Sequence, residues 1–210
     1  PFNYTSKTLQ AVHKELMNVL WSLGASPFGD GRVFDFDYPA QELLQQVIAN
    51  GVIPDQVSHQ FYPTPSHIAH KLVELAEIPP GSRCLEPSAG NGDIAALIDG
   101  VECVEINPMR CDVLHARGMA AVQCDFLQYG ADGGMDGAYD RIVMNPPFSD
   151  GRWQAHLQHA WQLLAKGGRI AAVLPSSAKN KEILPGCEYH DVYDFPGTSI
   201  QVVLMTANKA

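Results

Sequence analysis

The chain is poor in positive charge: 14 Lys and Arg stand against 23 Asp and Glu, for a formal charge of −9 over 210 residues. Phosphate contacts need Lys and Arg, so a nucleic-acid module held by bulk charge is excluded, and any such binding must come from a local patch. Cysteine is scarce and unpatterned. Cys84, Cys103, Cys111, Cys124 and Cys187 form no CxxC pair and are odd in number, which argues against a zinc knuckle or a disulfide framework and for buried reduced thiols. No apolar run approaches the roughly 20 residues of a membrane span, and no charged-then-apolar leader opens the chain, so a cytoplasmic setting is expected. One local absence cuts the other way. No acidic residue falls between Gly151 and Lys181, where Arg152, Lys166, Arg169, Lys179 and Lys181 occur with His156 and His159; a solvated helix and loop with chance charge bias would look the same.

What is present suits one globular unit with an N-terminal addition, since 46% of residues are hydrophobic. Leu9, Val12, Leu16, Val19, Leu20 and Leu23 recur at helical spacing between Ser6 and Leu23, with Thr5 or Ser6 as cap and Gly24 as stop. A Gly- and Asp-containing connector leads to a second helix, begun by Pro39 and ended near Asn50-Gly51, with Leu43, Leu44, Val47 and Ile48 as its apolar face. These helices either cap the main unit or dock a partner subunit or second copy. Next, Thr64 and Pro65 are placed to cap and open a helix carrying Ile68, Leu72, Val73 and Leu75 to about Glu77. His67 and His70 lie three apart on it, but no third ligand has matching spacing, so no metal site is expected.

After Pro79-Pro80-Gly81, a short strand Arg83-Cys84-Leu85 opens onto Glu86-Pro87-Ser88-Ala89-Gly90-Asn91-Gly92-Asp93-Ile94-Ala95. Strand, glycine loop and helix form the first unit of a doubly wound α/β fold. Gly90, Gly92 and Ala95 even fit a dinucleotide fingerprint. Glu86 speaks against a pyrophosphate there, because a carboxylate before the glycines repels phosphate and suits a cationic amine or sulfonium. Glu105 closes the next strand, Val101 to Val104, at the position that hydrogen-bonds ribose hydroxyls. A helix from about Pro108 to Arg117 returns to a third strand at Ala121 to Gln123, which ends at Asp125 and Phe126. Asp125 can accept from an exocyclic amine or simply cap a turn, and Phe126 can pack on a flat ring. Three acids at three successive strand ends outline a site for a nucleoside with a cationic amino-acid tail.

The stretch Tyr139 to Met144 reads as a buried strand that runs into Asn145-Pro146-Pro147-Phe148. Proline has no amide donor and a fixed φ, so the strand stops there, at the edge where open α/β sheets bind ligands. Alone, Asn-Pro-Pro is equally a strand-ending turn.

Taken jointly, Tyr62-Pro63-Thr64-Pro65, Glu86 to Gly92, Val104-Glu105-Ile106-Asn107-Pro108, Cys124-Asp125-Phe126-Leu127 and Asn145-Pro146-Pro147-Phe148 resemble the class I S-adenosylmethionine-dependent methyltransferases that modify the amino group of adenine in DNA. The motif order, cofactor motifs before the catalytic tetrad, is similar to that family's gamma arrangement. The resemblance covers about residues 60 to 207 and implies a Rossmann-like α/β fold: a seven-stranded, mostly parallel sheet flanked by helices, over 60–210, after an N-terminal helical extension over 1–59. Its last strands would be Arg169 to Leu174, Asp191 to Asp194 and Gln201 to Met205. Thr64, Pro65, Glu86, Ser88, Gly90 and Gly92 would lie along the methionine part of S-adenosylmethionine, with Tyr62 and Pro87 in the same site. Glu105 and Ile106 would meet its ribose and adenine, and Asp125 and Phe126 its adenine amine and ring.

An adenine amine is a poor nucleophile because its lone pair is delocalised into the ring. The Asn145 side-chain oxygen and the Pro146 main-chain oxygen could each accept one N–H and localise that pair, held rigid by Pro146 and Pro147, while Phe148 stacks on the flipped base. The same tetrad serves amino groups in RNA and a protein glutamine amide, and a non-catalytic partner subunit of the same fold is the reading from another class. Gamma-type enzymes usually carry a recognition domain after the catalytic one, whereas this sequence ends almost at the final strand. Recognition is therefore expected to be weak or short, from Arg152 and Trp153, the loop with Lys179 and Lys181, the N-terminal helices or another subunit.

Overall fold

The computed structural model describes residues 7–29, 33–51, 62–195 and 200–210. The expected cap at Thr5 or Ser6 and the boundary between residues 59 and 60 lie outside them. Helix α1 spans Lys7–Ser22 and stops at Gly24, whose φ of +80° suits a residue without Cβ. Much of its apolar face is exposed: Leu9, Val12 and Leu16 are 40%, 57% and 52% exposed. The expected connector contains a small antiparallel hairpin, β1 (Ser26–Phe28) with β2 (Val33–Asp35). Helix α2 (Gln41–Asn50) ends at Gly51 in the left-handed region; Leu43 and Val47 are buried, whereas Ile48, expected on the same face, is exposed.

The inner end of this extension is docked. Leu23, Tyr38, Ala40, Leu43 and Val47 form one apolar cluster with Val113 of the main unit. Tyr38 donates to the Leu23 carbonyl at 2.6 Å, and Asn91 donates to the Ser22 carbonyl at 3.2 Å. Arg117 bridges the two parts, donating to the Asn91 carbonyl and pairing with Asp37. Of the two expectations for residues 1–59, capping describes this end.

Helix α3 (Ser66–Ala76) buries Ile68, Ala69, Leu72 and Ala76. Pro65 occupies its N-cap and no side chain caps it, so Thr64 is not the cap expected from its position. Seven strands follow: β3 (Cys84–Pro87), β4 (Glu102–Glu105), β5 (Ala120–Gln123), β6 (Tyr139–Met144), β7 (Leu164–Pro175), β8 (Glu188–Asp194) and β9 (Gln201–Asn208). Helix α4 (Pro108–Ala116) joins β4 to β5, and α5 (Arg152–Leu163) joins β6 to β7. The sheet order is β5-β4-β3-β6-β7-β9-β8. All pairings are parallel except those of β9, which runs antiparallel to β7 and β8.

The mostly parallel sheet is buried on both faces, which is why Ile142, Val143 and Met144 in β6 and Ile170 to Leu174 in β7 are continuous apolar runs with no exposed surface. Two apolar clusters cover the faces, one carrying α5 and the other α3. The last three strands extend beyond their expected limits, and the segment after the glycine loop forms only a 3-10 turn, Ala95–Leu97, in place of the expected helix. Between the loop and β4 the chain has room for little more before the turn at Asp99-Gly100. No helix among the described residues is long and apolar enough to cross a membrane.

Candidate active site

The strand order reverses direction between β3 and β6, so their carboxyl ends open a crevice where an α/β sheet binds ligands. Leu85 pairs with Ile142; extended to the strand ends, that register brings Ser88 level with Asn145. Pro87 pairs with Val104 and Glu105 with Gln123, so the Glu86 loop, Glu105 and the Asp125 turn line the same edge.

The glycine loop is held from several sides. Glu105 accepts from Gly90 N–H at 2.8 Å and from Asn107 N–H at 2.9 Å, with Arg110 3.9 Å away. In this arrangement the carboxylate expected at a ribose first pins the loop. Gly92 has φ +85°, a left-handed conformation that favours a residue without Cβ, and it lies against the ends of the Leu114 and Met119 side chains. Ser88 has φ +61° despite its side chain. Non-glycine residues rarely occupy this region, and such strain concentrates at functional sites.

Glu86 is 2% exposed, and its Oε2 makes no hydrogen bond to another protein group. Burial, reinforced by Asp93, pushes its carboxyl well above the ordinary range, against a backbone hydrogen bond from Ala95. Asp93 accepts from Thr64 N–H at 2.9 Å and is itself pushed up by burial. A buried acid with an unused oxygen is complementary to a cation.

On the opposite side of the crevice, Asn145 donates from Nδ2 to Thr64 Oγ1 at 3.0 Å. This leaves its Oδ1 as the acceptor directed away from Thr64. Pro146 is buried, and Asn145, Pro147 and Phe148 are half-buried, with Phe148 packed against both apolar clusters. Tyr62 is 48% exposed, and its ring meets Phe195 edge-on at 6.3 Å. Ile106 is exposed beside the end of β4.

Asp125 does both things its sequence position allows. One oxygen accepts from Leu127 N–H at 3.0 Å as a turn cap, while the other lies 3.6 Å from Arg152. Phe126 is buried, its ring 5.3 Å from His156 and 4.9 Å from His159. Trp153, expected to meet nucleic acid, is instead buried on α5 with His156, Leu157, Ala160 and Leu163, because it sits on the apolar stripe of that helix. Arg152 faces Asp125. Lys179 and Lys181 are exposed on the loop after β7, on the Asn145 edge. Lys166 and Arg169, by contrast, lie at the opposite end of β7, and Arg169 pairs with Glu77 at 3.4 Å.

Sequence reasoning missed His156 as a site residue. Its signal was there: it follows Trp153 by three and precedes Leu157 and Ala160 on one helical face, an imidazole where an apolar side chain belongs. His67 contacts Tyr193 and His70 bonds the Ser66 carbonyl; no group of three metal-ligating side chains occurs among the described residues.

No family model and no curated protein sequence matches the chain. Solved structures do match. Thermus thermophilus TrmN superposes with a TM-score of 0.58 at 23% identity, over 72% of this chain and 51% of that one. The T. thermophilus 16S rRNA N2 G1207 methyltransferase RsmC, solved with AdoMet and guanosine, gives 0.55 at 19% identity over 90% of this chain and 46% of that one. The 23S rRNA methyltransferase ErmE gives 0.54 at 16% identity, over 71% and 70%. The chain thus spans about half the length of TrmN and RsmC. Its fold is the seven-stranded α/β fold of the class I methyltransferases.

Proposed function

We propose that this chain transfers a methyl group from S-adenosylmethionine to the exocyclic amino group of adenine in DNA. The observation that carries the reading is the Asn145 carboxamide, anchored through Nδ2 on Thr64 at the end of β6 with its oxygen left to accept. The protein residues fit the cofactor. Buried Glu86 with its unused Oε2 suits a cationic group, and the loop beside it carries Ser88 strained in the left-handed region and Gly92 packed against Leu114 and Met119. Bound there, the cofactor would supply a methyl group on an electron-poor sulfur. Asn145 Oδ1 and the Pro146 carbonyl would each take one N–H of the target amine, drawing its lone pair out of the ring, and Phe148 would stack on the base. The cost is met before the reaction, because prolines and the Thr64 contact hold the acceptors in place.

Lys179 and Lys181 beside the same edge support a nucleic-acid acceptor. RNA is the second reading, favoured by the fold neighbours that are rRNA methyltransferases, RsmC and ErmE. Incubation with tritium-labelled S-adenosylmethionine and DNA, RNA or protein, followed by nucleoside analysis, tests both. Label in N6-methyladenine of DNA is expected. Label confined to RNA or to protein glutamine would replace the DNA reading.

A further inference from the structure

His156 is 3% exposed at the junction of α5, the glycine loop and the Asp125 turn. Its Nδ1 lies 3.2 Å from Ser88 Oγ, its ring packs on Phe126, and its Nε2 makes no hydrogen bond to the protein. The imidazole is neutral: burial, and next the Arg152 charge, lower it from 6.5 to about 4. One tautomer would enclose an unsatisfied Nε2–H donor. The other puts the proton on Nδ1, donates it to Ser88 and leaves only an acceptor unmet, the less costly orphan. With its oxygen taken up as an acceptor, Ser88 can rotate its own hydroxyl proton outward into the crevice.

We propose that His156 is a positioning residue of the cofactor site, whose Nδ1–H holds Ser88 Oγ so that the Ser88 hydroxyl donates to the carboxylate of the cofactor's amino-acid end. This rests on the S-adenosylmethionine reading above. It links α5, which follows the Asn145 tetrad directly, to the strained Ser88. It also gives the unexplained buried imidazole a role that packing alone does not, since an apolar side chain would fill the same space without an orphaned nitrogen.

Isothermal titration with S-adenosylmethionine and thermal unfolding of the same variants test it. His156→Phe and Ser88→Ala should each weaken binding by about 10-fold or more, the loss of a hydrogen bond to a charged group. The double variant should be no weaker than Ser88→Ala, because the two act as one unit. His156→Asn, whose amide nitrogen can replace Nδ1, should restore most of the affinity, whereas His156→Gln should not. The Tm of His156→Phe should not fall, since an orphaned polar atom is removed. Wild-type affinity in His156→Phe, additive losses in the double variant, or failure of Asn to rescue a folded protein would overturn the assignment while leaving the cofactor reading intact. No binding by the wild-type chain would overturn both.

Discussion

Asn145 and Glu86 sit on opposite sides of the crevice, and their substitutions should separate cleanly. Asn145→Ala removes an acceptor together with its donation to Thr64, so kcat should fall by about 10²–10³-fold and S-adenosylmethionine affinity far less, as for loss of one preorganised hydrogen-bonding group. Equal losses in affinity and kcat would point to a structural role. Glu86 runs the other way. Because its carboxyl is raised, the unfolded chain ionises above the ordinary 4.5 while the folded one holds its proton, and stability is lost as pH rises through that window. Glu86→Gln should therefore raise the Tm at neutral pH and weaken cofactor binding. Cofactor binding to the wild type should release protons, seen by calorimetry in buffers of different ionisation heat. His156 has the opposite slope: the unfolded chain takes up a proton below 6.5, the folded one not until about 4. That gap is worth roughly 3 kcal/mol at about 1.4 kcal/mol per pH unit, and His156→Phe should flatten the loss of stability between those pH values in urea titrations. Of the three acids at strand ends, Glu105 and Asp125 were legible from position in the sequence, but their partners were not. Nothing local tells that Glu105 binds Gly90 N–H or that Asp125 faces Arg152, since these contacts exist only once separate strands are aligned.

Among the elements, β6 was the most legible, because an apolar run broken by two prolines must end as a strand where it does. The helix expected after the glycine loop is not formed, since glycine spacing signals the loop alone and leaves the conformation of residues 95–98 open. The β1–β2 hairpin was invisible: three-residue strands carry no period. Trp153 belongs to a helical stripe, which its basic neighbour Arg152 obscures in the sequence. The connection between the extension and the glycine loop, through Ser22, Asp37, Arg117 and Asn91, joins residues far apart in sequence. Arg117→Ala leaves the Asn91 carbonyl without that donor and should cost about 1–3 kcal/mol in denaturant unfolding. Asp37→Asn, at a 59% exposed carboxylate, should cost under about 1 kcal/mol. Equal costs would show that the ion pair, and not the loop contact, is what Arg117 supplies.

At the scale of the molecule, the formal charge of −9 sets the field, and the acid-free segment does not act as one patch. Lys179 and Lys181 stand on the site edge, while Lys166 and Arg169 belong to the far end of β7. Lys179→Glu with Lys181→Glu should therefore weaken nucleic-acid binding and reduce the slope of log affinity against log salt by about 2, close to 0.9 for each phosphate no longer neutralised. The same pair at Lys166 and Arg169 should leave the slope unchanged. Everything proposed for this edge of the sheet turns on methyl transfer to a planar amino group held by Asn145. Tritium transfer from S-adenosylmethionine into DNA by the wild type and by Asn145→Ala tests it most directly. The wild type should place label in N6-methyladenine, and the variant about a hundredfold less. Equal label from both, or cofactor binding with no label in DNA, RNA or protein, would contradict it.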